Sequence, residues 1–142
     1  GNAPIRYIVD DCKKFVEREH LRGSRYEGII MDPPSYGRGP GGEVWKLEES
    51  IDGLIGLAAG LLSERPLFFL VNSYTTGLSP MTMGYLLELK LRSRLGGTVE
   101  SGELGLRVSQ TGGYLPCGAS SRWVAEQASP EQRKGRKTSL VR

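Results

Sequence analysis

Two cysteines and one histidine are all that the 142 residues offer to thiol or imidazole chemistry. Cys12 and Cys117 lie far apart in the chain, so neither a disulfide framework nor a Cys/His zinc site is indicated, and no metal is expected. Long apolar runs are missing too. The longest, around Leu67 to Val71, falls far short of the ~20 residues that cross a bilayer, and the start lacks a basic-then-apolar leader pattern. The expectation is a protein of a reducing, cytoplasmic compartment with no membrane partner. An excess of one charge is also scarcer than the formal +3 suggests. Arg133, Lys134, Arg136, Lys137 and Arg142 crowd the last ten residues without an acid. Setting those five aside from the 19 Lys and Arg leaves fewer bases than the 16 acids, so the body is slightly acidic. A basic end can follow a phosphate backbone or simply be solvated. What the chain has in plenty is glycine, 20 residues or twice the usual ~7%, gathered in loops such as Gly37 to Gly42 and in no repeat.

The hydrophobic pattern alternates between two periods. Ile5 to Val9 reads as a short strand, and Asp10 or Asp11 can cap a helix bearing Cys12, Phe15, Val16 and Glu19. Gly28 to Met31 is a second strand, halted at Asp32 because Pro33 and Pro34 cannot donate to a ladder. Leu47, Ile51, Leu54, Ile55, Ala58, Leu61 and Leu62 form one helical face, with a cap expected near Ser50. Pro66 to Val71, almost wholly apolar, reads as a strand covered on both faces. Ser79-Pro80 opens a helix with Met81, Tyr85, Leu86 and Leu89 expected inward, and Gly96-Gly97 ends it. Thr98 to Ser109 and Ala119 to Ala125 read as an antiparallel pair. The order β-α-β-α-β-α-β-β implies an α/β layer fold. Ligands gather at the carboxyl ends of strands in such sheets, which directs attention to Asp10 to Cys12, Asp32 to Tyr36, and Asn72 to Tyr74.

Asp32-Pro33-Pro34-Ser35-Tyr36 is the most specific of these. The prolines stiffen the corner, the Asp carboxylate and nearby carbonyls are fixed acceptors, and Tyr36 offers a face on which a planar base can stack. The same five residues also suit a stiff strand-to-loop turn. Arg38 and Lys46 are either solvated loop charges or contacts to substrate phosphates. Trp45 either lids a pocket or packs the loop on Leu47. His20 is expected at the surface, and Met81 and Met83 as packing.

Asp32 to Glu48, DPPSYGRGPGGEVWKLE, resembles the class I S-adenosylmethionine-dependent methyltransferases, in the group that includes the large-subunit ribosomal RNA enzymes. The resemblance runs from Ile5 to about Glu126, with IVDDCKKFV like the family's third-strand motif and DPPSY like its fourth. It implies a Rossmann-like sheet of strand order 3-2-1-4-5-7-6 ending in an antiparallel hairpin. It further implies that Asp11, or alternatively Asp10, accepts from the cofactor's adenine amino group and that the Cys12 N–H meets a ring nitrogen. Asp32, Pro33, Pro34, Ser35 and Tyr36 would border methyl donor and acceptor. Tyr36, Arg38, Lys46 and Asn72 would meet substrate, here ribosomal RNA.

The departures matter as much. The family's Gly-rich first loop and the acid of its second strand do not precede Ile5. Residues 1–128 are therefore expected to be a partial domain, inactive alone, that begins at the third strand, and residues 129–142 a disordered basic tail. Ile5 to Val9 is expected to pair with Gly28 to Met31 in place of the missing neighbour. Asn72-Ser73-Tyr74 stands where cytosine-carbon methylating relatives carry a nucleophilic Cys, so a covalent route is disfavoured. Two alternatives remain: a noncatalytic RNA-binding module using Tyr36 and the tail, and a nucleotide-dependent oxidoreductase, which would need a Gly-x-Gly-x-x-Gly fingerprint and parallel last strands.

Overall fold

The computed structural model describes residues 4–39 and 41–126. The basic tail lies outside them. The elements in chain order are α1 (Cys12–Arg22), β1 (Gly28–Met31), β2 (Tyr36–Arg38), β3 (Val44–Lys46), α2 (Leu47–Ala59), β4 (Phe68–Ser73), α3 (Pro80–Leu87), β5 (Thr98–Arg107) and β6 (Tyr114–Val124). A π-helical turn at Glu88–Arg92 and a last helical turn at Ser93–Leu95 prolong α3.

The main sheet has the order β1-β4-β6-β5. β1 and β4 are parallel, Gly28 opposite Phe68 and Met31 opposite Val71. β6 runs antiparallel to both β4 and β5. This is the α/β arrangement expected, with the C-terminal hairpin inserted so that its second strand sits inside. Period-2 alternation along β4 buries Phe69, Val71 and Ser73 on one face. α2 and α3 cover that face with Leu47, Ile51, Ile55, Met83 and Leu87, and Trp123 fills the centre with its indole N–H donated to the Gly96 carbonyl at 2.8 Å. Phe68, Leu70 and Asn72 on the other face are only half-buried, and Ile30 is 65% exposed. The sheet is thus clad on one side.

Several expectations are corrected. Ile5 to Val9 forms no strand and no ladder with β1; Tyr7 is 87% exposed and Val9 wholly so. Strand propensity is realised only against a partner. Here α1 is hooked to α2 at its far end, and its N-terminus stands across a cleft from β1. α2 starts at Leu47 rather than near Ser50, and Lys46 caps it without a side-chain bond. The Leu47 N–H is instead satisfied by the Ser35 carbonyl at 3.0 Å. Gly37, expected in a loop, lies in a strand: Val44–Lys46 pairs antiparallel with Tyr36–Arg38.

Met81, Tyr85 and Leu89 face solvent, while Met83, Gly84, Leu87 and Leu91 are buried. The cause is Gly84: a β-carbon there would sit 2.3 Å from the Ser101 hydroxyl, so this face alone can lie close to the hairpin. The Ser79 cap is as expected, its hydroxyl accepting from the Thr82 N–H at 3.1 Å.

Candidate active site

A cleft of about 1030 Å³ opens between the start of α1 and the carboxyl end of β1. Its polar rim carries Asp10, Asp11, Cys12, Asp32 and Arg38, and its floor includes Phe15 and Met31. Pro33 and Pro34 also line it, Pro33 buried and Pro34 exposed. Ser35, Tyr36, Lys46 and Asn72 do not line it. The structure therefore gathers seven of the residues singled out in the sequence and leaves four aside.

Two of the three gathered acids have local tasks. Asp10 pairs with the Arg18 guanidinium and accepts the Asp11 N–H at 2.9 Å. Asp11 caps α1, its Oδ1 accepting from the Lys14 N–H at 3.0 Å. Only one of its two carboxylate oxygens is so engaged, and the exposed Cys12 opens the helix whose first-turn N–H groups lack intrahelical partners. Asp32 is exposed at the end of β1.

The stiff corner after Asp32 is fixed from below. The Pro34 carbonyl accepts the Trp45 indole N–H at 2.8 Å, and the Ser35 carbonyl takes the Leu47 N–H. Trp45 is half-buried against the core and also lines the cleft, so it packs, braces the corner and forms part of the wall. Tyr36 projects half-exposed from β2, its hydroxyl accepting from Arg38 Nε at 2.9 Å. Lys46 turns to Glu49 at 2.9 Å, and that carboxylate raises the Lys46 pKa. Asn72 stands at the end of β4, one step beyond the Met31–Val71 pair, as Asp32 does on β1.

The other end of α1 carries a polar cluster that sequence reasoning missed. Glu19, the helix's buried residue, receives hydrogen bonds from the Tyr26 hydroxyl and from Arg22. The Tyr26 hydroxyl foremost, then Ser24 and Arg22, hold its carboxyl at about 2, well below the ordinary 4.5. Glu19 in turn raises the Tyr26 pKa. His20, expected at the surface, is half-buried and donates Nε2–H to the Leu57 carbonyl at 2.7 Å. An acid, an imidazole and a tyrosine within eight residues were the available signal. Past β4, Tyr74, which the strand-end argument included, is half-exposed, and the buried Thr75 hydroxyl, which has no partner among the described residues, was missed. Its only sequence signal was position at a strand end. Also among the described residues, no cluster of His, Cys, Asp or Glu is arranged to hold a metal ion, and no helix is long and apolar enough to cross a membrane.

No family model and no curated protein matches the sequence. Solved structures do. A SAM-dependent methyltransferase from Agrobacterium tumefaciens is 37% identical over 87% of this chain, with a TM-score of 0.77. SMU.776, a candidate methyltransferase complexed with SAH, is 17% identical over 82%, TM-score 0.55. A candidate SAM-dependent methyltransferase from Streptococcus mutans is 16% identical over 82%, TM-score 0.57. The last two likenesses concern the fold alone. The chain spans 41% of the length of the first and 30% of each of the others. The described residues thus match a Rossmann-like methyltransferase fold over less than half of the Agrobacterium protein's length.

Proposed function

We propose that the protein containing this chain transfers a methyl group from S-adenosylmethionine to a base of large-subunit ribosomal RNA. The observation that carries the reading is the convergence of Asp11, Cys12 and Asp32 on one cleft at the carboxyl end of β1, in a chain 37% identical to a SAM-dependent methyltransferase. The cleft fits the cofactor chemically. It joins a helix start with an unspent carboxylate oxygen to an apolar floor, and its volume lies at the upper end of ligand sites.

When bound, S-adenosylmethionine supplies an activated methyl group on a sulfonium centre. The chain's residues align and shield. Asp11 accepts from an adenine amino group while still capping α1, the Cys12 N–H donates to a ring nitrogen, and Asp10 stays paired with Arg18. Asp32, with Pro33, Pro34 and Ser35 held rigid by Trp45 and Leu47, fixes the acceptor in line with the methyl carbon. Tyr36 gives that acceptor a stacking face; Arg38, Lys46 and Asn72 meet the surrounding RNA. The segment by itself is inactive, because residues 4–126 contribute one wall of the cofactor site.

The test uses the full-length protein, methyl-tritiated S-adenosylmethionine and RNA from cells lacking the gene. Asp11→Ser keeps a capping hydroxyl but withdraws the long-reach acceptor, and is expected to weaken cofactor binding about tenfold, the worth of one good hydrogen bond. Asp32→Ala is expected to cut transfer about a hundredfold at saturating cofactor. Unlabelled RNA with the wild-type protein would remove the RNA reading. Tight cofactor binding by residues 1–142 alone would remove the claim of inactivity.

A further inference from the structure

We infer that Tyr74 is a positioning residue for the acceptor, the wall against which a flat nitrogenous ring stacks, and that Gly118 exists to set its pose; the inference rests on the methyl-transfer reading above.

Three observations converge. First, Tyr74 follows directly on β4, whose last residues lie beside the end of β1: Met31 is opposite Val71, so Asp32 leaves β1 beside Asn72, which is still paired with Ser120, and Tyr74 is two residues further on. Second, the ring is backed by a strand. A β-carbon at Gly118 would lie 2.7 Å from the Tyr74 ring and 2.7 Å from the Ser73 carbonyl oxygen, so the ring lies directly on the bare backbone of β6. Its outer surface is open, the residue being 53% exposed. A half-exposed aromatic backed by bare backbone at a strand's carboxyl end can serve as a stacking platform. Third, the next residue, Thr75, buries its hydroxyl with no partner among the described residues, although its backbone N–H is bound by Ser73 Oγ at 3.1 Å. That hydroxyl is out of reach of a docked ring; what the turn supplies is the Ser73–Thr75 bond, which fixes the backbone on both sides of Tyr74.

β6 carries the platform beyond the end of β4. Ser73 is opposite Ala119, so Tyr114 to Gly118 and their β5 partners rise past the point where β4 stops. The arm's base at Gly118 is thereby fixed by two strands, which makes the Tyr74 ring a rigid surface rather than a loop side chain. Its chemistry suits a planar, uncharged heteroaromatic ring.

The experiment measures the same tritium transfer to RNA from cells lacking the gene, for the wild type, Tyr74→Ala, Tyr74→Phe and Gly118→Ala, with cofactor Kd determined separately by calorimetry. Tyr74→Ala is expected to raise KM for RNA roughly tenfold or more, as loss of one base stack does. Its kcat should stay within about threefold and its cofactor Kd unchanged, and Tyr74→Phe should restore KM. Gly118→Ala should raise KM in the same direction. An unchanged KM in Tyr74→Ala, a Phe variant as poor as Ala, or a parallel loss of cofactor affinity overturns the inference. A wild-type protein that neither binds the cofactor nor labels RNA instead overturns the methyl-transfer reading beneath it.

Discussion

The two ends of the sheet are built on different principles. At the β5–β6 end, β6 alternates from Ala119 to Trp123: Trp123, Ser121 and Ala119 point into the core, while Arg122 pairs with Glu100 on the outer face. At the β1 end, Ile30 is exposed and Leu70 beside it half-buried, although both are residues that a core would claim. α1, which stands nearest, is fastened by polar hooks, Glu19 to Tyr26 and His20 to Leu57, rather than by its apolar side. Phe15 and Val16 line the open cleft instead. The first end is finished over Ala119 to Trp123, though Leu106, Tyr114 and Leu115 further along the hairpin are exposed. The other has the composition of an interior without the covering, and it is this end that bears Asp11 and Asp32.

The difference can be broken or sharpened by four measurements. The largest effect is expected from Trp123→Ala, which empties the centre of the finished end and should cost about 3–5 kcal/mol in denaturant unfolding. Gly97→Ala comes next. Gly97 has φ +83°, and a β-carbon would fall 2.3 Å from the Val124 carbonyl oxygen, so roughly 1–3 kcal/mol should be lost by the same assay.

At the β1 end the expected effects are electrostatic. Glu19 titrates lower in the folded protein than its ordinary 4.5, so its contribution is full above that pH and lost as the pH falls through about 2. Tyr26→Phe removes the chief cause. The Glu19 pKa should then rise toward 4.5 in an NMR titration, and amide protection of α1 should fail at a higher pH than in the wild type; an unmoved pKa would show that Tyr26 is not the hook. The smallest effect is expected at Ile30. Ile30→Thr in residues 4–126 should change stability by less than ~0.5 kcal/mol because the side chain is mostly in water. A markedly larger cost in the full-length protein would mean that this face is covered there, and equal costs would mean that it is bare in both.

What the sequence made legible follows the same division. The finished end could be read because its signals are local: the two runs around Gly112-Gly113, the Ser79-Pro80 cap, and the Gly96-Gly97 stop each act within a few residues. The inward face of α3 could not, because it is chosen by the fit of Gly84 against Ser101 rather than by where apolar residues fall. Ile5 to Val9 has strand composition, but composition cannot supply a neighbour. In the cleft, Asp10, Asp11, Cys12 and Asp32 were legible as strand-end and cap residues. Lys46 and the bracing by Trp45 were not, since one turns to Glu49 and the other to Pro34, eleven residues earlier in the chain.

The register of the sheet also has a kinetic consequence. β5 and β6 meet across a short reversal, whereas β1 must find a parallel partner about forty residues downstream, a closure that carries a larger entropy cost. The hairpin can zip as a local event, while the ladder that seats Asp32 waits for a distant one. During synthesis β1 leaves the ribosome first yet gains its partner only after β4 has emerged, so the strand ending at Asp32 spends the longest time unpaired and aggregation-exposed.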